Sequence, residues 1–203
     1  TYLANYAKAF NSNVIVLPTT IDTVNGHNKT KVYCENKKTI IGWTGTHSTI
    51  KYLDFIIPIL KQLEQKYDFE FRVISNKKPE FKLQSLHYID WNKETEIDDL
   101  LHFDIGIMPL EDDKWAKGKC GFKLIQYMAL EIPAIASDVG VDGEIIKSPE
   151  LGFLIEGNEQ HEWKKALMKL LENAELRKEV GRAGRKRIIE KYSMEANMEK
   201  VLG

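Results

Sequence analysis

Residues 104 to 140 read DIGIMPLEDDKWAKGKCGFKLIQYMALEIPAIASDVG: a short apolar run, a polar loop, an amphipathic run and a second short apolar run. Ile105–Met108 and Ala134–Ser137 are apolar and bounded by turn residues, as buried strands of a parallel sheet should be. Leu124, Ile125 and Met128 have helical spacing, Gly118 and Gly121 open the run and Pro133 stops it, which predicts a helix over Gly121–Leu130. Strand, loop, helix and strand in that order make one crossover unit of an α/β fold.

The predicted helix begins among cations, with Lys117, Lys119 and Lys123 around its start. A helix N-terminus presents unpaired N–H groups and about half a positive charge, so acids are favoured there and cations cost a few tenths of a kcal/mol to about 1 kcal/mol. Two readings follow: the lysines point away into water, or an anion sits between them and the backbone amides.

The same alternation extends outward along most of the chain. Strands are expected at Val14–Leu17, Thr39–Trp43, Phe69–Ser75 and Leu86–Ile89, with a short one at Gly152–Ile155; helices at Ile50–Lys66, Glu94–His102, Gly143–Lys147 and Glu159–Glu172. Leu53, Ile56, Ile57, Leu60 and Leu63 make one apolar stripe, although Pro58 inside it must kink the helix or start a new one. Residues 18 to 38 are polar and broken by Pro18, Asp22, Asn25, Gly26 and Asn36, as a linker would be. From Glu175 to Lys191 the chain is helical and charged, and Ser193 is a plausible N-cap for a helical tail. The division expected is residues 1–38 as a linker and the end of a preceding domain, 39–192 as an open parallel Rossmann-like sheet with helices on both faces, and 193–203 as the tail.

Bulk properties narrow the function. With 203 residues, 43% hydrophobic and 29% charged, the chain can build one substantial core. A net charge of -1 offers no basic field for nucleic acid, so no nucleic-acid partner is expected. No apolar run is long enough to span a bilayer, and no signal-type segment opens the chain, so a cytoplasmic protein is expected. Cys34 and Cys120 lack ligand-type neighbours and read as reduced thiols. The start at Thr1, without Met, reads as a cut from something longer.

An open parallel sheet binds ligands beyond the carboxyl ends of its strands. After Thr39–Trp43 comes Thr44-Gly45-Thr46-His47-Ser48-Thr49, where glycine permits close backbone approach and hydroxyls stand beside a helix start. That suits a phosphate as well as it suits a turn with an N-cap at Ser48 or Thr49. Lys51 adds a cation at the same end, and His47 reads as loop surface. Glu111, Asp112 and Asp113, adjacent on the loop before the lysine-flanked helix, read as solvated acids, and no bound metal is expected. Arg177, Lys178, Arg182, Arg185, Lys186 and Arg187 crowd one helix; they read as a solvated face, with an acidic membrane surface or a partner domain as the sharper reading.

Several segments together, IIGWTGTHSTIKYL, FRVIS, DIGIMPL, GKCGFKLIQYMALEIPAIASDVG, GFLI and LRKEVGRAGRKRIIEKYS, resemble the C-terminal half of retaining glycosyltransferases of the family-4 type, which have the two-domain GT-B architecture. Residues 13 to 23, NVIVLPTTIDT, resemble the segment that joins the two halves of such enzymes. The resemblance implies a nucleotide-diphosphate sugar as donor substrate, no separate cofactor, a glycan or lipid-linked acceptor, a partner N-terminal domain, and a place at the inner face of the membrane. It also implies a donor site at Thr44, Gly45, Thr46, Lys51, Lys119, Gly121, Phe122, Lys123 and Gln126, with base contact near Ile89 to Trp91. Lys51 matches the family's phosphate-contacting lysine, whereas the family's arginine has no counterpart, since Trp43-Thr44 stands there. The family's two glutamates fall on Gly118 and Gln126, so both carboxylates are absent. No general base is named by these residues, and a nucleotide-sugar epimerase or a non-catalytic sugar-nucleotide-binding module shares the same phosphate site.

Overall fold

The computed structural model describes residues 2–33 and 38–202. Six strands, β1 (Thr39–Gly45), β2 (Phe69–Ser75), β3 (Leu86–Asp90), β4 (Ile105–Met108), β5 (Ala134–Ser137) and β6 (Phe153–Ile155), form one sheet in the order β3-β2-β1-β4-β5-β6. Every pairing is parallel. This is the open α/β sheet expected from the alternating pattern, and its chain order reverses between β1 and β4, where a crevice must open.

Both faces of the sheet are covered, which is why its strands are apolar at successive positions rather than at alternate ones. Ile41, Trp43, Phe69, Phe71, Val73, Ile105, Ile107 and Ile135 point to one face. There they meet α2 (Ile57–Leu63) and α7 (Gln160–Glu172) through Leu60, Leu63, Trp163 and Leu167. Ile40, Ile74, Met108, Ala134 and Ala136 point to the other, where α3 (Glu96–Leu100), α5 (Phe122–Ala129), α6 (Asp142–Ile145) and α8 (Ala174–Lys191) supply Leu100, Leu124, Ile125, Met128, Ile145 and Ile188. Gly106 in β4 allows the closest approach: a Cβ there would lie 2.6 Å from the Tyr127 ring. The buried Tyr127 therefore lies flat on the sheet, and its hydroxyl accepts the Thr44 N–H at 3.0 Å, tying the middle of α5 to the end of β1.

Three expectations change. Val14–Leu17 forms no strand: no strand lies beside it among the described residues, and an unpaired strand has no ladder to hold it. Its Ile15, Val16 and Leu17 side chains are exposed, next to an unanticipated helix, α1 (Tyr2–Lys8). The single helix expected over Ile50–Lys66 is two pieces, a 3-10 helix at His47–Leu53 and then α2, with Pro58 in the first turn of α2, where its missing N–H costs nothing. The loop after β4 carries a short helix, α4 (Lys114–Lys117), N-capped by Asp113, whose Oδ1 accepts the Ala116 N–H at 2.6 Å.

Residues 18–33 are irregular but strapped down. The Lys31 ammonium lies 2.9 Å from Asp104 Oδ1, and Asp104 Oδ2 accepts the Ile40 N–H at 2.8 Å, so one carboxylate joins strap, β1 and β4. The Tyr33 hydroxyl donates to Glu131 O at 2.8 Å, and Ile21 bridges to Ser193. Ser193 is the cap foreseen for the tail: its Oγ accepts the Ala196 N–H at 3.0 Å at the start of α9 (Met194–Leu202). Cys120 is an exposed free thiol; Cys34 and Asn36 lie outside the described residues.

Candidate functional site

At the carboxyl end of the sheet, across the β1/β4 reversal, lies a cleft of about 460 Å³. Thr44, Gly45 and Thr46 line it from the loop after β1, and Phe122, Lys123 and Gln126 from the first turns of α5. Thr49, Asn76, Trp91 and Glu96 complete the wall toward β2 and β3. Six residues distant in sequence and singled out there thus share one surface. The loop after β1 is held by its own hydroxyls: the Thr46 N–H donates to Thr49 Oγ1 at 3.2 Å, and Thr46 Oγ1 meets Ser48 Oγ at 2.9 Å. The His47 N–H donates to Asn76 Oδ1 at 2.8 Å, so the backbone of His47 braces two loops.

Gly121 sets the entry to α5. It is buried and left-handed, with φ +68, a conformation that costs any residue bearing a Cβ about 1–2 kcal/mol. A Cβ there would also lie 2.4 Å from Ile145 Cδ1. The first turn of α5 contains no acid, so its amides have no anionic partner from within the helix.

Instead it is ringed by cations standing on aromatic faces. Lys119 Nζ lies 4.2 Å and Lys51 Nζ 5.2 Å from the centre of the same buried ring, Tyr52. Lys123 Nζ lies 5.5 Å from the ring of Trp43, the residue that stands where the family's arginine is absent. A π face attracts a cation without neutralising it. Lys119 Nζ is shut off from solvent and has no hydrogen-bond partner among the described residues. Burial pushes its pKa below the ordinary lysine range, with the Asp113 carboxylate opposing the shift and the charge of Lys51 adding to it. The Lys123 ammonium is pulled down to about 8, first by burial and then by Lys119. Asp142, unmarked in the sequence, is 1% exposed, and burial pushes its carboxyl up to about 8 against the opposing pull of Lys123. Its Oδ2 also lacks a partner among the described residues. At neutral pH the group is therefore cationic, and it suits a ligand with more than one negative oxygen.

Not every expected residue lines the cleft. Ile89 packs against the core, and Trp91, two residues on, is the one that faces the cleft. Gly118 and Lys119 form the other side of the loop and line a second cavity of about 360 Å³ with α1, residues 14 to 19 and α6. Tyr52, Asn76 and Glu96 join the site unannounced. Tyr52 reads as an ordinary apolar position of an amphipathic stretch, and Asn76 and Glu96 as loop and helix-cap residues.

Three of the six crowded cations of α8 are engaged with the ends of other helices. Arg177 Nη1 donates to the carbonyls of Leu170 and Leu171 at the end of α7, Arg185 Nη1 to Ala129 O at the end of α5, and Arg187 Nη2 to Glu144 O at 3.0 Å. Cations at helix C-termini satisfy orphan carbonyls and the negative end of the dipole.

With this geometry in view, comparison with known proteins is decisive at the level of family. Residues 27–187 match the family described as Glycosyl transferases group 1. The chain belongs to it. An uncharacterized glycosyltransferase of Methanocaldococcus jannaschii is 28% identical over 181 residues, 84% of this chain and 49% of that protein. The chain thus spans about half the length of the curated relative it matches. Among solved structures, a Staphylococcus aureus TarM mutant in complex with fondaparinux, alpha-GlcNAc-glycerol and UDP superposes with TM-score 0.75 at 19% identity, covering 99% of this chain and 41% of that one. WaaG, a glycosyltransferase involved in lipopolysaccharide biosynthesis, gives 0.70 at 15% identity over 94% of this chain and 58% of that one. The C-terminal domain of a glycosyl transferase group 1 family protein, LpcC, from Francisella tularensis gives 0.65 at 19% identity over 82% and 89%. At these identities the structures establish a shared GT-B type fold. No helix among the described residues is long and apolar enough to cross a membrane.

Proposed function

We propose that this chain is the donor-binding, C-terminal half of a retaining glycosyltransferase that uses a nucleotide-diphosphate sugar and a glycan or lipid-linked acceptor. The observation that carries the reading is the unpartnered Lys119 ammonium, held on Tyr52 beside Lys51 in the loop that separates the second cavity, which Lys119 lines, from the switch-point cleft, which Lys123 lines. A buried cation without a partner is costly, and a diphosphate would satisfy it. The UDP in the TarM complex and the C-terminal placement of the LpcC domain agree with this reading.

In transfer, negative charge grows on the leaving diphosphate. Lys119, Lys51, Lys123 and the first amides of α5 are fixed in advance where that charge develops, and such preorganised donors lower the barrier more than mobile water does. Gln126, 3% exposed yet on the cleft wall, offers its amide to the ribose hydroxyls, with weaker bonds than a carboxylate would make. Gly118 supplies no side chain to the sugar. Acceptor groups belong to the partner half, so this chain alone binds donor and transfers nothing.

The test is equilibrium titration of the chain with nucleoside diphosphates and the matching phosphate-free nucleosides. Diphosphates should bind at least about tenfold tighter; equal affinity removes the phosphate site. Proton NMR of the product made by the longer protein reports the anomer, and an inverted anomer refutes retention.

A further inference from the structure

The charges along the cleft are segregated. Lys123 lines it at the α5 end, with Lys119 and Lys51 close by, while the only other charged side chain on the wall is Glu96, at the β3 end. Glu96 opens α3, the helix that follows β3, whereas Lys123 stands in the first turn of α5, the helix that follows β4, so the two charges enter the cleft from different crossovers. A carboxylate repels phosphate, so a ligand with its diphosphate on the lysines presents its uncharged end to Glu96. There Trp91, 43% exposed on the cleft wall, is held by one edge: its indole N–H donates to Glu96 Oε1 at 3.1 Å. The bond fixes a broad aromatic face and aims a carboxylate beside it. That pairing, stacking platform plus acceptor, is what a nucleobase requires.

We propose that the Glu96 carboxylate, held beside Trp91 where the resemblance already implies base contact, selects guanine. The proposal rests on the donor-site reading above and adds to it the identity of the base. A carboxylate only accepts hydrogen bonds. Guanine presents two adjacent donors, N1–H and the N2 amino group, and meets a carboxylate with two bonds. Uracil offers one N–H between two carbonyls, and adenine and cytosine offer an amino group beside a ring acceptor, so each gains one bond and a repulsion. Asn76, the remaining amide of this end, is already braced against His47 and leaves the discrimination to Glu96.

The experiment is calorimetric titration of the 203-residue chain with GDP, UDP, ADP, CDP and inorganic pyrophosphate, repeated for Glu96→Gln and Trp91→Ala, with circular dichroism confirming that each variant is folded. GDP should bind at least about tenfold tighter than the other nucleotides, the discrimination of one good bidentate pair. Glu96→Gln, whose carbonyl still accepts the indole N–H, should bring GDP to within about threefold of UDP while pyrophosphate affinity holds. Trp91→Ala should bring every nucleotide toward pyrophosphate. Nucleotides no tighter than pyrophosphate, a preference for another base, or a GDP preference untouched by Glu96→Gln overturns the proposal and leaves the phosphate site standing. Failure of pyrophosphate and all nucleotides alike removes both.

Discussion

Replacing Lys119 by Met should make the protein more stable and less able to bind. Methionine keeps the unbranched stem over Tyr52 and deletes only the ammonium, which is shut from water and hydrogen-bonded to nothing among the described residues. Relieving a buried unsatisfied donor returns roughly 1–3 kcal/mol. Losing the contact with the ring subtracts about 0.5–1 kcal/mol. The net gain is about 1 kcal/mol, within a range of about 0–2.5 kcal/mol, and 1 kcal/mol in a chain of this size raises Tm by roughly 2–4 °C. Binding moves the other way: one charge-assisted hydrogen bond lost costs about 1.5–3 kcal/mol, or about 10- to 150-fold in the Kd for pyrophosphate. Differential scanning calorimetry without ligand and isothermal titration with pyrophosphate read the two effects separately. A lowered Tm together with a Kd unchanged within about twofold would show that the amine is a structural group and that the cation cluster serves no anion. Such opposition between stability and binding is the mark of a site strained for function.

Three further outcomes follow from the same geometry. Gly121→Ala should cost about 2–3 kcal/mol in urea denaturation, from its φ of +68 and the contact with Ile145, and should abolish pyrophosphate binding by moving the start of α5. Diphosphate binding at about pH 8.5 should take up protons, since Lys123 and Asp142, both near 8, are mostly deprotonated when free and a bound anion favours the protonated form of each. Calorimetry in buffers of different ionisation enthalpy measures this, and affinity should fall as pH rises through 8; no uptake removes Lys123 from the site. Arg185→Ala strands the carbonyls of Ala129 and His27 and should destabilise by about 1–3 kcal/mol without changing sedimentation with acidic liposomes; the reverse result would make α8 a membrane face.

The architecture was legible because it rests on local patterns. β4 and β5 are four-residue runs buried at every position, so no alternation was needed to identify them, and Pro133 marked where α5 must stop. Val14–Leu17 shows the limit of that reading: its residues suit a strand, but a strand exists only when a neighbour completes its hydrogen bonds. Asp113, Asp104 and Arg185 show another. Their charges were visible, but their partners are the Ala116 N–H, Lys31 with the Ile40 N–H, and the Ala129 carbonyl, and only folding supplies those.

At the site, the sequence alone determined which residue types gather around the lysine-flanked helix, since Lys119, Gly121 and Lys123 lie within one turn of each other and Thr44 to Thr46 follow a strand. It left open whether those lysines face water or an anion. Tertiary structure supplied what bears on that: it placed Tyr52 beneath both Lys119 and Lys51 and Trp43 beneath Lys123, and it shut the Lys119 ammonium off from solvent with no hydrogen-bond partner among the described residues. It also brought Glu96 and Trp91, which follow the edge strand of the sheet, to the wall of the same cleft as Lys123. Burial and juxtaposition depend on the parallel order of six strands, and no spacing along the chain records them.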